Sequence, residues 1–190
     1  MKDTELIKNI IKPESDLEKT LIKDPDFTCG AMYGKPRPGH PEGQVIYHIK
    51  DVLNNIDQFY ENDEDRSELR LIAILHDTFK YKVDQTKPKT GENHHGMIAR
   101  RFAEKYFTES AVRILELLEL HDEAYNSWQK GFRRNDWYGA KKRAMTLINK
   151  LEENDCTDLY LKFYRCDNAT GDKSSDNYVW FENEVSSATY

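Results

Sequence analysis

The run Leu69-Arg70-Leu71-Ile72-Ala73-Ile74-Leu75 is apolar on almost every side at helical pitch, and it ends directly on His76-Asp77. A helix apolar all round belongs at the centre of a bundle, because a surface helix needs only one apolar stripe. An ionised carboxylate at its end must be compensated there, by several hydrogen bonds or by a divalent cation.

Around this run the periodicity is helical, and no alternating strand stands out. Val45, Ile49, Val52, Ile56 and Phe59 form a stripe between Glu42 and Tyr60, with His48 beside it. Asp65 and Glu68 have capping-box spacing ahead of the central helix. A helix is expected from Asn93 to Phe107, with Ile98, Ala99, Phe102, Ala103 and Tyr106 inward and His94 and His95 in its first turn. Others are expected from Ser110 to His121 and from Tyr138 through Leu151. Asp155 and Asp158 are candidate caps for one through Leu159, Phe163 and Cys166, with a stop at Gly171. Residues 122–137 read as a polar, aromatic loop. Cys29–Gly43 carries four of nine glycines and three of six prolines, so it reads as irregular. The expectation is an all-α bundle of about six to eight helices in one domain, 1–190. It would have N-terminal helices within 1–28 and a C-terminal helix over 174–190 packed on its own core.

Composition narrows the function classes. The longest wholly aliphatic stretch is Leu71–Leu75, far below the roughly 18 residues of a membrane span. The start Met1-Lys2-Asp3-Thr4-Glu5 has no apolar segment of a secretory signal, so a cytoplasmic address is expected. Cys29, Cys156 and Cys166 are odd in number and form no CxxC pair, which argues for reduced thiols. A net charge of -6 argues against a surface that coats nucleic acid. One segment departs from it. Lys130, Arg133, Arg134, Lys141, Lys142 and Arg143 face only Asp136, a local charge of +5, amid Trp128, Phe132, Trp137 and Tyr138.

All six histidines lie between positions 40 and 121. One histidine on an apolar face is usually a satisfied core residue; a group of them beside an Asp suggests a cation. Imidazole with carboxylate suits manganese, iron, zinc or magnesium, with water retained as a nucleophile. Asp167 is the candidate to complete such a site, on a helix face with Tyr160, Phe163 and Tyr164.

In these pieces the chain resembles the HD-domain metal-dependent phosphohydrolases, over about Gly39 to Asp172. His40-Pro41-Glu42-Gly43-Gln44-Val45 with His48 is similar to the first-histidine segment, and His76-Asp77 with Lys80 to the signature dipeptide and its lysine. His94-His95-Gly96 before Ala99 resembles the third segment, and Cys166-Asp167-Asn168-Ala169-Thr170-Gly171 the closing aspartate segment. The first and last are similar to the HD domain of bacterial tRNA nucleotidyltransferases, here without their catalytic module, which implies a stand-alone hydrolase. A departure is Phe79, bulky where the family usually has a small residue.

The resemblance implies an HD-domain helical bundle with His48, His76, Asp77 and Asp167 as core metal ligands. His121 and one of His94 and His95 would serve a second ion. Spacing to Ala99 favours His94, helical phase His95, and both stay open. The cofactor would be one or two divalent ions (Mn, Mg, Fe, Ni, Co or Zn). Asp77 would hold the attacking water, and Lys80 would neutralise phosphate charge. Arg133 and Arg134, in a lid after His121, would bind substrate, and Arg37, Lys87 and Lys89 are weaker candidates. The partner expected is a small phosphoester, above all a nucleotide, or a cyclic nucleotide or RNA end. The rival reading is a regulatory module that binds nucleotide without turnover. The oligomeric state is open.

Overall fold

A computed structural model describes residues 2–36, 41–108 and 111–188. Eleven α-helices, two 3₁₀ turns and no strand make up these described residues. The helices are α1 Lys2–Ile11, α2 Asp16–Leu21, α3 Pro25–Ala31, α4 Val45–Tyr60, α5 Arg66–Leu75, α6 His95–Ala103, α7 Val112–Leu120, α8 Glu123–Arg134, α9 Trp137–Glu153, α10 Thr157–Asn168 and α11 Asp176–Ala188. The number exceeds the six to eight expected for two reasons. The N-terminal segment breaks into three short helices, and the stretch 122–137, expected as a loop, contains α8. Helix α8 escaped the periodicity because its buried face is Ala124, Ser127 and Gly131 instead of an aliphatic stripe. It stops at Asn135, whose left-handed backbone (φ 52) caps it.

Helix α5 takes the central position that its sequence demands. Leu69, Ile72, Ala73, Ile74 and Leu75 are fully buried, and the helix packs against α4, α7 and α10. Of its two cations, Arg66 and Arg70, the second is buried too, and donates to Glu18 at 2.9 Å from Nε and 3.1 Å from Nη2. This pair ties α2 to the core; removing either partner leaves a buried charge, at a cost of about 3–5 kcal/mol. Helix α11 closes the bundle with Phe181 and Val185 inward, against α8, α9 and α10.

Both expected acidic caps are absent. The Asp65 carboxylate makes no cap bond and instead accepts from Arg113 at 2.8 Å and Lys162 at 2.9 Å, because full charges on α7 and α10 outcompete a backbone N–H. Asp158 pairs with Lys162 at 2.7 Å, Asp155 sits at φ 50, and α10 starts after Cys156 without a side-chain cap. The irregular stretch begins at Met32, since Cys29 belongs to α3. Arg37, His40 and Ser110 lie outside the described residues. The three thiols are unpaired, with Cys156 and Cys166 buried. Phe79 is buried against Phe102, with ring centroids 4.5 Å apart, so its bulk fills the core. Among the described residues no helix is long and apolar enough to cross a membrane.

Candidate metal centre

His76 is the C-cap of α5, and the following turn carries Asp77, Thr78, Phe79 and Lys80. Helix α3 crosses directly over this turn at Gly30. A Cβ there would stand 1.8 Å from the Thr78 carbonyl oxygen, so only glycine allows the approach. Thr78 Oγ1 donates to the Ile74 carbonyl at 2.7 Å and fixes the turn from its other side.

The buried Asp77 carboxylate is the centre of the arrangement. Its Oδ2 lies 3.7 Å from His48 Nε2 and 3.6 Å from His76 Nε2. Asp167, from the last turn of α10, brings its Oδ1 to 3.0 Å from His48 Nε2 and 4.0 Å from His76 Nε2. The other oxygen, Asp77 Oδ1, faces a second group: His95 Nε2 at 3.3 Å and His121 Nε2 at 3.6 Å, themselves 3.0 Å apart. Asp122 completes it, with Oδ2 at 3.3 Å from His95 Nε2 and 3.6 Å from His94 Nε2. His94 has a separate task, since its Nδ1 accepts the Gly96 N–H at 3.2 Å and caps α6.

His76 and His121 are held alike. Each ends a helix, and each Nδ1–H donates to the carbonyl three residues back, Ala73 and Leu118, both at 2.9 Å. A carbonyl can only accept, so Nδ1 carries the proton and each Nε2 of the neutral ring presents a lone pair. Each is followed by an aspartate, and His121-Asp122 is a second His-Asp dipeptide that sequence reasoning passed over. Tyr160 fixes the α7–α8 junction: its hydroxyl accepts the Ala124 N–H and donates towards the carbonyls of Leu120 and His121, each contact 3.1 Å.

The shorter separations, 3.0 Å for His48–Asp167 and for His95–His121 and 3.3 Å from His95 to Asp77 and to Asp122, match the spacing of neighbouring ligands at about 2.1 Å from one ion, roughly 3.0–3.4 Å, and those of 3.6–4.0 Å exceed it. The electrostatics agree. Burial drives the His76 pKa down to about 3, which leaves the ring neutral. His121 is the opposite case: burial works against its charged form, yet Asp122 and Asp77 lift its pKa to about 9. Its surroundings thus demand a positive charge, which a proton or a cation can supply. Burial alone would raise Asp77 and Asp167, but Lys80 with His76 holds the first well below the usual carboxylate range, and Lys173 with His48 the second. Burial also lowers His95. The donor set therefore fits divalent cations on both sides of Asp77.

Lys80 donates to Asp77 Oδ2, and Lys173 Nζ donates to Asp167 Oδ1 at 3.0 Å. Lys80 does not cap α5, which ends five residues earlier, but opens a 3₁₀ turn. Lys173 escaped notice because only the loop after α10 brings it to Asp167. A cleft of about 530 Å³ opens beside His76, Asp77 and His121. Tyr125, Trp128, Phe132 and Arg133 of α8 form one wall, and Asn168, Lys173 and Asn177 lie opposite. Trp128 and Phe132 stack with centroids 4.5 Å apart and planes 12° apart, and Phe132 is 64% exposed. The basic segment is helical instead of a lid loop, and much of its charge is paired, Arg143 with Glu123 and Lys130 with Asp136. Arg134 does not line this cleft but a neighbouring surface depression with Lys130 and Arg143, which shares Tyr125, Gln129 and Arg133 with it.

The HD domain family matches residues 45–152, more than half of the chain, and the chain belongs to that family. Its members are in general metal-dependent phosphohydrolases. Asp167 lies beyond the matched segment. Comparison with curated proteins and with solved structures finds no match.

Proposed function

We propose that the protein hydrolyses a phosphoester of a nucleotide at a centre of two divalent ions that share Asp77. The observation that carries this reading is the division of the Asp77 carboxylate, with one oxygen towards His48, His76 and Asp167 and the other towards His95, His121 and Asp122. In this reading His48, His76, Asp77 and Asp167 hold one ion, and Asp77, His95, His121 and Asp122 the other, with His94 behind Asp122. When bound, the ions supply a water acidic enough to be a nucleophile near neutral pH and polarise the phosphoryl oxygens. The chain supplies position and charge. Lys80, between Asp77 and the cleft, neutralises the phosphate, and Lys173 reaches the same space from the loop after α10. Phe132 and Trp128 offer a flat apolar surface on which a base can stack, with Arg133 at the rim. Such a wall favours nucleotides over sugar phosphates.

The test is phosphate release from nucleoside monophosphates, cyclic nucleotides and p-nitrophenyl phosphate with manganese, magnesium, iron, nickel, cobalt or zinc, beside metal analysis of the purified protein. Turnover that EDTA abolishes is expected. Bound metal without turnover would favour the regulatory module instead.

A further inference from the structure

A second cleft, of about 280 Å³, also borders Asp77 and Lys80, and among the described residues none of α8 lines it. Its walls come from Tyr33–Lys35, from the start of α4 and from the segment 83–89. Its character differs from that of the aromatic cleft: Lys35, Lys80, Gln85 and Lys89 line it, against the carboxylates of Asp77 and Glu42. Asp77 is turned to the metal side as described, and Glu42 is engaged behind His48, with its Oε1 3.6 Å from Nδ1, the ring nitrogen that faces away from the metal group. Lys35 and Lys89 form no ion pair among the described residues, whereas Lys82 and Lys87 nearby are paired with Asp26 and Asp84.

Both lysines sit on pinned backbone. Gly34 holds φ 114, and a Cβ on it would come within 2.5 Å of the Gly43 carbonyl oxygen. Val45 N–H donates to Tyr33 O at 2.9 Å, and Gln44 Nε2 to Met32 O at 3.0 Å, which locks the strip carrying Lys35 against the start of α4. On the other wall the Asn93 side chain donates to Asp84 O at 3.0 Å and Pro88 O at 2.9 Å and accepts from Asp84 N–H at 2.9 Å, so the loop is closed immediately before Lys89.

We infer that this cleft is a subsite for a second phosphate, so that the substrate is a nucleoside carrying a chain of at least two phosphates. This rests on the function proposed above and names its substrate class. The base lies on Phe132 and Trp128, the scissile phosphorus at Asp77 and Lys80, and the departing phosphate between Lys35 and Lys89. Only a substrate that extends in both directions from the scissile phosphorus fills both clefts, and a nucleoside monophosphate leaves the lysine cleft to water. Hydrolysis consumes one water. Its oxygen bonds to the phosphorus, the P–O bond to the bridging oxygen breaks, and the outer phosphate leaves with the electron pair while one proton passes to solvent.

The experiment compares wild type with Lys35→Ala/Lys89→Ala on two readouts. In calorimetry with a methylene-bridged, non-hydrolysable nucleoside triphosphate, the double variant should bind roughly 10- to 100-fold more weakly, about tenfold per lost charge-assisted contact. In manganese-supported turnover, kcat/KM for the nucleoside di- and triphosphate should fall by a similar factor, through KM, while p-nitrophenyl phosphate hydrolysis stays unchanged. Equal binding of the analogue by both proteins overturns the inference, with or without turnover. A monophosphate turned over as well as the di- and triphosphate overturns it too. Absence of metal-dependent hydrolysis of every substrate, p-nitrophenyl phosphate included, strikes the proposed function instead.

Discussion

Replacing Asp77 by asparagine tests the sharing of one carboxylate most directly. The amide keeps the volume of the side chain, so the buried turn between α5 and the Lys80 turn should stay folded. It removes the negative charge that faces His48 and His76 from one oxygen, at 3.7 and 3.6 Å, and His95 and His121 from the other, at 3.3 and 3.6 Å. Substituting a residue that only orients a ligand costs about 10- to 100-fold in metal affinity. Loss of a charged ligand common to both groups should therefore weaken each by about 100-fold or more. Without an ion the water returns to its bulk acidity, and turnover should fall by at least about 10³-fold. The assay is metal content by mass spectrometry after dialysis at fixed free manganese, beside the rate. Asp77→Asn should lose both ions, whereas Asp167→Asn should lose only the ion beside His48 and His76, and His121→Ala only the other. A folded Asp77→Asn protein with the wild-type metal content would refute the reasoning.

The other predictions concern stability and support of the site. In EDTA, stability should peak near pH 6.5. The His76 pKa is lowered from 6.5 to about 3, so the unfolded chain gains the proton first and stability falls as pH drops through that window. The His121 pKa is raised to about 9, so its contribution is complete below 6.5 and is lost as pH rises towards 9. Each titrating group contributes a slope of about 1.4 kcal/mol per pH unit. Urea midpoints that keep rising from pH 6.5 to 9 would contradict this. Manganese at about 100 times its dissociation constant should add roughly 2.7 kcal/mol, or a rise of about 5–10 °C in Tm, which EDTA reverses; differential scanning fluorimetry reads it. Tyr160→Phe should cost about 1–3 kcal/mol, through the buried groups left unpaired at the α7–α8 junction, and weaken metal binding on the His121 side more than on the His48 side. Gly30→Ala should lower Tm and turnover together, because the Thr78 carbonyl must retreat from the new methyl group; a wild-type Tm would argue against that crossing.

Much of the architecture is legible locally. A helix apolar on all sides has one stable place, the interior, and α5 occupies it. Its terminal His76-Asp77 therefore had to be a buried polar group in need of compensation, and the other histidines beside apolar stripes pointed to the same centre. Where the apolar face was made of small residues, as in α8, periodicity was silent, and a helix read as a loop. Acidic residues ahead of helices looked like caps because the cations that claim Asp65 come from α7 and α10, far away in sequence.

Residue types and helical phase, which the chain encodes over one or two turns, determined that this is an all-α protein with a histidine and aspartate centre. Only the tertiary packing decided how the centre is divided. His48 and Asp167 meet at 3.0 Å although most of the chain separates them, and Asp122 joins because α7 ends beside α6. The same packing placed an aromatic wall in one cleft beside Asp77 and, in another, Lys35 and Lys89, which form no ion pair among the described residues. The physical reason is that hydrogen bonds along a helix report near neighbours, whereas the position of one helix end against another is set by side-chain packing across the whole bundle.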